Sequence, residues 1–402
     1  MEDAYIYDAI RTARGRGSAK ATGALADLSP FELLQTLYEA LEQRTKLDKN
    51  IVEDVILGCA TQAKEQAGNI AKASLMYSAW PEHIPGMTVN RYCSSGLDAV
   101  NIAAMKINVG QAKCTLAGGV EMMSRVPMMS DQAAIFLDPA LATKCRMLMM
   151  GSGADLVASL HDVSREQVDE VAFKSHQRAA RARHEGWFKS VIPVFNQTTG
   201  QLVQHDECIR PQTTMQSLAE LAPSFSEIGA AGADALQLAR HSQLTSIRHI
   251  HTAGNSPALA DAAALVLVAD QSLYDAGLKP RAKIVATTTV CGDPLESVSG
   301  CASVTKKLMA EQGLVADDVD LFELHEAFAA TIIKCQQLLQ IGDQKLNVNG
   351  GVIALGHPMG ATGAIMVGTL IDELERQGLK RGIVSTSGAA GTGTAMLIEL
   401  VA

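Results

Sequence analysis

Two short stretches each set a reactive side chain three places before a glycine. One is Arg91-Tyr92-Cys93-Ser94-Ser95-Gly96. The other is Gly356-His357-Pro358-Met359-Gly360, inside residues 347–363, where Gly350, Gly351 and Gly363 also surround the histidine. Glycines at that density let the backbone come close to whatever His357 faces. An apolar run with helical spacing follows each stretch, so each reactive residue sits where a loop becomes a helix start. Free N–H groups and the positive dipole end favour anions there. The same placement lowers a thiol pKa, and a thiolate beside an imidazole is an arrangement for covalent acyl transfer. Most cysteines are inert buried thiols, and most single histidines are satisfied core groups. Polar Ser94 and Ser95, and the glycines on both sides of His357, weigh against those readings.

The elements around these stretches read as alternating strands and helices. Residues 4–10 alternate like a strand, 30–47 form an amphipathic helix with Ser29 as cap, and 52–59 are a buried strand. A helix at 69–79 and a short strand at 87–89 lead into Cys93. The helix after it carries Leu97, Val100, Ala104, Met105 and Ile107, and 114–119 is another buried strand. Such alternation predicts an α/β fold with a mostly parallel sheet covered on both faces. The order breaks over 120–250, which is richer in helix, charge and methionine and reads as an inserted domain with a capped helix over 164–185. Its methionines (Met122, Met123, Met128, Met129, Met147, Met149 and Met150) read as pliable core.

Alternation then resumes: a strand at 282–290, a helix at 301–312, a strand at 317–324, a helix from Glu326, the His357 loop and its helix, and strands at 382–387 and 394–401. Both halves share one order, which predicts an internal repeat with the two reactive loops meeting at the shared interface. The expected division is 1–119 continuing at about 251–270, an inserted unit at 120–250, and 271–402.

Composition narrows the function classes. The chain has 402 residues, 47% hydrophobic and 19% charged, which fits a globular protein and not a disordered one. Net charge is −9 and no block of lysine and arginine stands out, which argues against a nucleic-acid surface. None of the eight cysteines forms a C-x-x-C pair, so they read as thiols in a reducing compartment. With no secretory leader, no apolar run of membrane-spanning length and no peroxisomal C-terminus, a cytoplasmic location is expected.

With these motifs together the chain resembles the thiolase family of acetyl-CoA acyltransferases and acetyltransferases, most of all the thiolase subunit of fatty-acid β-oxidation complexes. The resemblance runs from the first strand to the last residues. It implies a five-layer αβαβα fold built from two similar halves with an inserted helical loop domain. It implies Cys93 as the nucleophile that carries the acyl group as a thioester, and His357, of G-H-P-x-G, as the group that activates it. In Leu324-His325-Glu326-Ala327-Phe328, His325 takes the place of the asparagine that fixes an oxyanion-hole water. Ala327 and Phe328 are expected to line the acyl and pantetheine channel. Thr252-Ala253-Gly254-Asn255-Ser256-Pro257-Ala258-Leu259-Ala260-Asp261 matches the loop that meets CoA, so Ala253, Ser256 and Leu259 are expected contacts. Pro257 and Ala260 depart from the family's serine and asparagine there, and Pro257 removes both a hydroxyl and an N–H.

The largest departure is in Ser387-Gly388-Ala389-Ala390-Gly391-Thr392-Gly393. Ser387 stands where the family has a second catalytic cysteine that moves the proton of the acetyl carbon, and Ala389 is an expected contact nearby. A serine there would slow proton transfer by about two to four powers of ten. The implied reaction is 3-oxoacyl-CoA plus CoA giving acyl-CoA and acetyl-CoA, or its reverse. CoA enters as a substrate, with no metal and no permanently bound cofactor. A homodimer or homotetramer and a hydratase/dehydrogenase subunit are the expected partners. The rival expectations are a relative with weak thiolysis and a CoA-binding scaffold without activity.

Overall fold

In the computed structural model, which describes residues 2–18 and 21–401, the first strand runs over Tyr5–Thr12 and is buried from Ile6 onward. It lies in the middle of the sheet, antiparallel to Ala260–Ala269 on one side and to Ala282–Cys291 on the other. Beyond Ala260–Ala269 come Cys114–Met122 (antiparallel), then Asp54–Gly58 and Gly86–Val89 (both parallel). Beyond Ala282–Cys291 come Thr392–Leu400 and Arg381–Ser387 (each antiparallel to its neighbour), Leu321–Leu324 (parallel), and a parallel bridge from Phe322 to Leu346. The two arms therefore repeat the same order and the same directions.

The sheet is mixed, not mostly parallel. Arg381–Ser387 and Thr392–Leu400 are joined by a short turn through Gly388 and Gly391, which only antiparallel neighbours allow. Ala260–Ala269 is the counterpart in the first arm. Its alanine-rich sequence lacks alternation because it is buried along its whole length, so no strand is legible there.

Five layers result. The helices Ser95–Asn108 and Met359–Gln377 pack together in the middle, with Leu97, Val100, Ile365 and Val367 between Ile56 and Val266 of one arm and Val384, Met396 and Ile398 of the other. Each of these side chains removed from water contributes about 2 kcal/mol. Outside one arm lie Pro30–Thr45 and Ile70–Tyr77. Outside the other lie Gly300–Glu311 and Ala329–Leu339. Ser29 and Glu32 close a capping box on the helix at Pro30, and Ser164 and Gln167 do the same at Arg165–His184.

Two expected elements shrink. Residues 316–318 form a 3-10 turn, because the Asp318 carboxylate accepts the Val315 N–H at 2.9 Å, and the strand is confined to Leu321–Leu324. The helix expected from Glu326 starts at Ala329. Glu326 is buried instead and accepts from Ser175 Oγ at 2.8 Å and the Ile353 N–H at 3.1 Å. Between Met122 and Ala260 the chain builds helices and a hairpin of Val194–Asn196 with Gln201–Val203. Val191–Ile192 returns from this segment to pair with Arg11–Thr12 of the main sheet.

Candidate active site

Cys93 is presented by a tight turn. After the strand Gly86–Val89, the Tyr92 N–H donates to Asn90 Oδ1 at 2.8 Å, and Tyr92 takes a left-handed backbone with φ of 52°. The Ser94 and Ser95 N–H groups then donate to the Arg91 and Tyr92 carbonyls at 3.0 and 3.1 Å, and the helix begins at Ser95. Ser94 Oγ donates across the molecule to the Thr386 carbonyl at 3.4 Å, tying this turn to the second arm.

The thiol pKa expected to be low is pushed up to about 12, first by burial and then by the Glu121 carboxylate. Glu121 also occupies the start of the His357 helix. It is wholly buried and accepts the N–H groups of Gly360, Ala60 and Thr61 at 2.8, 2.9 and 3.1 Å. The anion that the start of the His357 helix favours is thus a side chain of the protein itself. Burial and Glu121 thus favour the neutral thiol of Cys93 over the thiolate.

His357 is held by its N–H donating to the Ala258 carbonyl at 2.8 Å. Its Nδ1 lies 2.7 Å from Thr362 Oγ1, and that hydroxyl lies 3.2 Å from the Pro358 carbonyl. A carbonyl only accepts, so Thr362 donates to Pro358 and accepts from His357 Nδ1–H, which leaves the lone pair on Nε2. Burial, then His325, then Arg14 push the His357 pKa well below its ordinary value. The imidazole is therefore neutral and able to accept a proton.

The rings of His357 and His325 lie with centroids 4.4 Å apart. His325 Nδ1 is 3.1 Å from the Ser387 carbonyl, so Nδ1 carries the hydrogen and Nε2 the lone pair. That Nε2 is buried and has no hydrogen-bond partner among the described residues. Burial pushes this pKa down to about 4, against the bond to Ser387.

Cys93, His325 and His357 line one cavity of about 200 Å³ with Ser256, Pro257, Leu259, Ala327 and Phe328. Ser256 Oγ is buried there without a partner among the described residues. A second cavity of about 240 Å³ shares Cys93 and adds Tyr92, Phe136 and Ala389. Ala253 is exposed and lines neither cavity. Ser387 lines neither as well. It shares its strand face with Ser385, which bonds Thr305 at 2.7 Å, and its hydroxyl accepts the Cys301 N–H at 2.9 Å. Its side chain serves the start of the helix Gly300–Glu311.

Of the seven methionines read as core, Met122 and Met147 are buried and line neither cavity, while the other five are walls of the site. Met123, Met128, Met149 and Met150 line the first cavity with Met359, and Met128, Met129 and Met150 line the second. Their density next to a predicted reactive loop was the available signal. Unbranched, polarisable side chains adapt to flexible apolar ligands of varied shape.

Two family models match: the thiolase N-terminal domain over residues 4–239 and the thiolase C-terminal domain over residues 278–400. Among curated relatives, the 3-ketoacyl-CoA thiolase of Aliivibrio fischeri is 36% identical over 99% of this chain and 100% of its own length. That of Serratia proteamaculans is 37% identical, with 100% of both chains covered. The crystal structure of the Bacillus anthracis acetyl-CoA acetyltransferase superposes with a TM-score of 0.87 at 30% identity, covering 100% of this chain and 99% of that one.

Proposed function

The chain belongs to the thiolase family, and on that premise we propose that it is an acyl-CoA acyltransferase that cleaves 3-oxoacyl-CoA with CoA, through an acyl thioester on Cys93. The observation that carries this reading is the convergence of one thiol and two neutral imidazoles, each held through its Nδ1, on one apolar cavity.

His357 Nε2 takes the Cys93 proton as sulfur attacks the 3-oxo carbon. The C2–C3 bond then breaks, leaving the acyl group on Cys93 and the electron pair on C2. Protonation of C2 gives acetyl-CoA. In the second half, the thiol of CoA loses its proton to His357 and attacks the thioester, and Cys93 leaves and recovers a proton. Buried, pre-oriented bases reach the substrate with little reorganisation, which is where such sites gain most of their rate. The apolar walls exclude water that would hydrolyse the thioester.

Ser256, Leu259, Ala327 and Phe328 contact the acyl and pantetheine parts, and Ala389 contacts the group in the second cavity. CoA is a substrate and not a resident cofactor. We read 120–250 as an inserted loop domain between halves at 1–119, continuing at about 251–270, and 271–402. Assembly as a homodimer or homotetramer, with a hydratase/dehydrogenase subunit in the cytoplasm, completes the reading. Neither rival is favoured: a scaffold has no use for two oriented imidazoles beside a thiol, and the full-length relatives named above are 3-ketoacyl-CoA thiolases.

The test is a turnover assay with acetoacetyl-CoA and a longer 3-oxoacyl-CoA, each with and without CoA, with intact-mass detection of the acyl-enzyme. CoA-dependent acetyl-CoA formation is expected. Absence of both product and acyl-Cys93 would end this reading.

A further inference from the structure

Cleavage leaves an electron pair on C2, so some group at the cavity must deliver a proton there. The lining holds four side chains with a labile proton or a basic lone pair: Cys93, Ser256, His325 and His357. Cys93 carries the acyl group at that moment. A serine hydroxyl is too weak an acid and too weak a base near neutral pH for this work. Ser387, the residue that the resemblance would point to, gives its hydroxyl to the Cys301 N–H and lines neither cavity.

Resting on the acyl-transfer reading above, we infer that His325 is a second catalytic residue, which delivers the proton to C2 in cleavage and removes it in condensation. Three observations carry this. Its Nδ1–H is fixed on the Ser387 carbonyl, so the ring cannot turn its lone pair away from the cavity without losing that bond. Its Nε2, on a ring that lines the cavity, is buried and has no partner among the described residues, a costly arrangement unless a ligand uses it. Its ring lies 4.4 Å, centroid to centroid, from that of His357, close enough for a proton to pass between them directly or through one water.

The balance closes with a single proton. The Cys93 thiol gives its proton to His357 as the carbon–sulfur bond forms. That proton passes to His325 Nε2, and from there to C2 as the C2–C3 bond breaks. Both rings end neutral, and nothing is oxidised or reduced. Condensation runs the same steps backwards, with C2 losing its proton to His325 and the Cys93 thiolate regaining one through His357. Burial, which pushes the His325 pKa down to about 4, makes its imidazolium a strong acid towards a carbanion.

The experiment exposes the protein to acetyl-CoA in deuterated water. Intact mass follows acyl-Cys93, and deuterium in the acetyl methyl group follows proton removal at C2. For His325→Asn, acyl-Cys93 is expected to form within about tenfold of the wild-type rate, while methyl deuteration slows by about a hundredfold or more. His325→Gln is the second variant, and melting curves confirm that each is folded. For Ser387→Ala, deuteration is expected within about threefold of wild type, well short of the effect of losing an acid–base group. Deuteration at wild-type rate in a folded His325 variant that still acylates overturns the inference. So does a loss in Ser387→Ala as large as in the His325 variants. If neither His325 variant folds, the Ser387→Ala result decides alone. A wild-type protein that never forms acyl-Cys93 fails the function proposed above instead.

Discussion

The backbone of Gly360 passes so close to Gly119 that a Cβ built on Gly119 would lie 2.0 Å from the Gly360 carbonyl oxygen. A Cβ on Gly96 would lie 2.6 Å from the same oxygen. The strand Cys114–Met122, the Cys93 helix and the start of the His357 helix therefore meet as bare backbone. Gly360, one of the glycines expected to open His357 to a ligand, instead lets these three elements touch. Gly119→Ala has no flexible neighbour to displace. It should cost about 2–4 kcal/mol, read as a lower urea midpoint at unchanged slope. An unchanged midpoint would mean that the two elements are free to move apart.

Removing the base should be felt in the first chemical step. His357→Ala is expected to slow acylation of Cys93 by an acyl-CoA about a hundredfold, roughly 3 kcal/mol, with little change in melting temperature. Thr362→Val removes only the group that fixes the tautomer, so a loss of about tenfold is expected, roughly 1.4 kcal/mol. Stopped-flow or quench measurements of acyl-Cys93 check both. A larger loss in Thr362→Val than in His357→Ala would contradict the assigned roles.

Ser387→Ala leaves the Cys301 N–H without its acceptor in a fully buried place. A loss of about 1 kcal/mol of stability is expected, the usual cost of a removed hydrogen bond at a helix start. Chemical denaturation reads it directly. Ser387→Ala as stable as wild type would show that the hydroxyl is not holding the helix.

His176 makes stability depend on pH. Burial and then Arg210 push its pKa down to about 4 from the ordinary imidazole value near 6.5. Below 6.5 the unfolded chain binds a proton that the native chain refuses, so stability complete above pH 6.5 is lost as pH falls towards 4. At pH 5 this one group removes about 2 kcal/mol. His176→Gln should show a fall between pH 7 and pH 5 that is smaller by about that amount. Equal falls in the two proteins would show that His176 titrates normally.

Cys93 and His357 are legible because a reactive residue, nearby glycines and a following apolar helix are all local signals. The repeat of the two arms is legible for the same reason, since Asp54–Gly58 and Leu321–Leu324 open similar strand–helix runs. What escapes is whatever depends on partners distant in sequence. The Cys93 thiol is raised first by burial and then by the Glu121 carboxylate, and both come from packing of distant segments. The direction of the Ser387 side chain follows from its register in Arg381–Ser387 and from the helix packed outside it. The methionines read as core because a cavity wall and a core have the same composition, and only the fold tells them apart.

The central position of the first strand sets the timing of assembly during synthesis. Tyr5–Thr12 pairs with Ala260–Ala269, which also completes the edge of Cys114–Met122. Until Ala269 leaves the ribosome, both strands keep an open, apolar edge of the kind that captures other chains. At about 5–20 residues per second that interval lasts roughly 10–50 s. Chains stalled before residue 260 should therefore be found with chaperones or in aggregates, whereas chains released beyond residue 269 have the strand that closes the first arm.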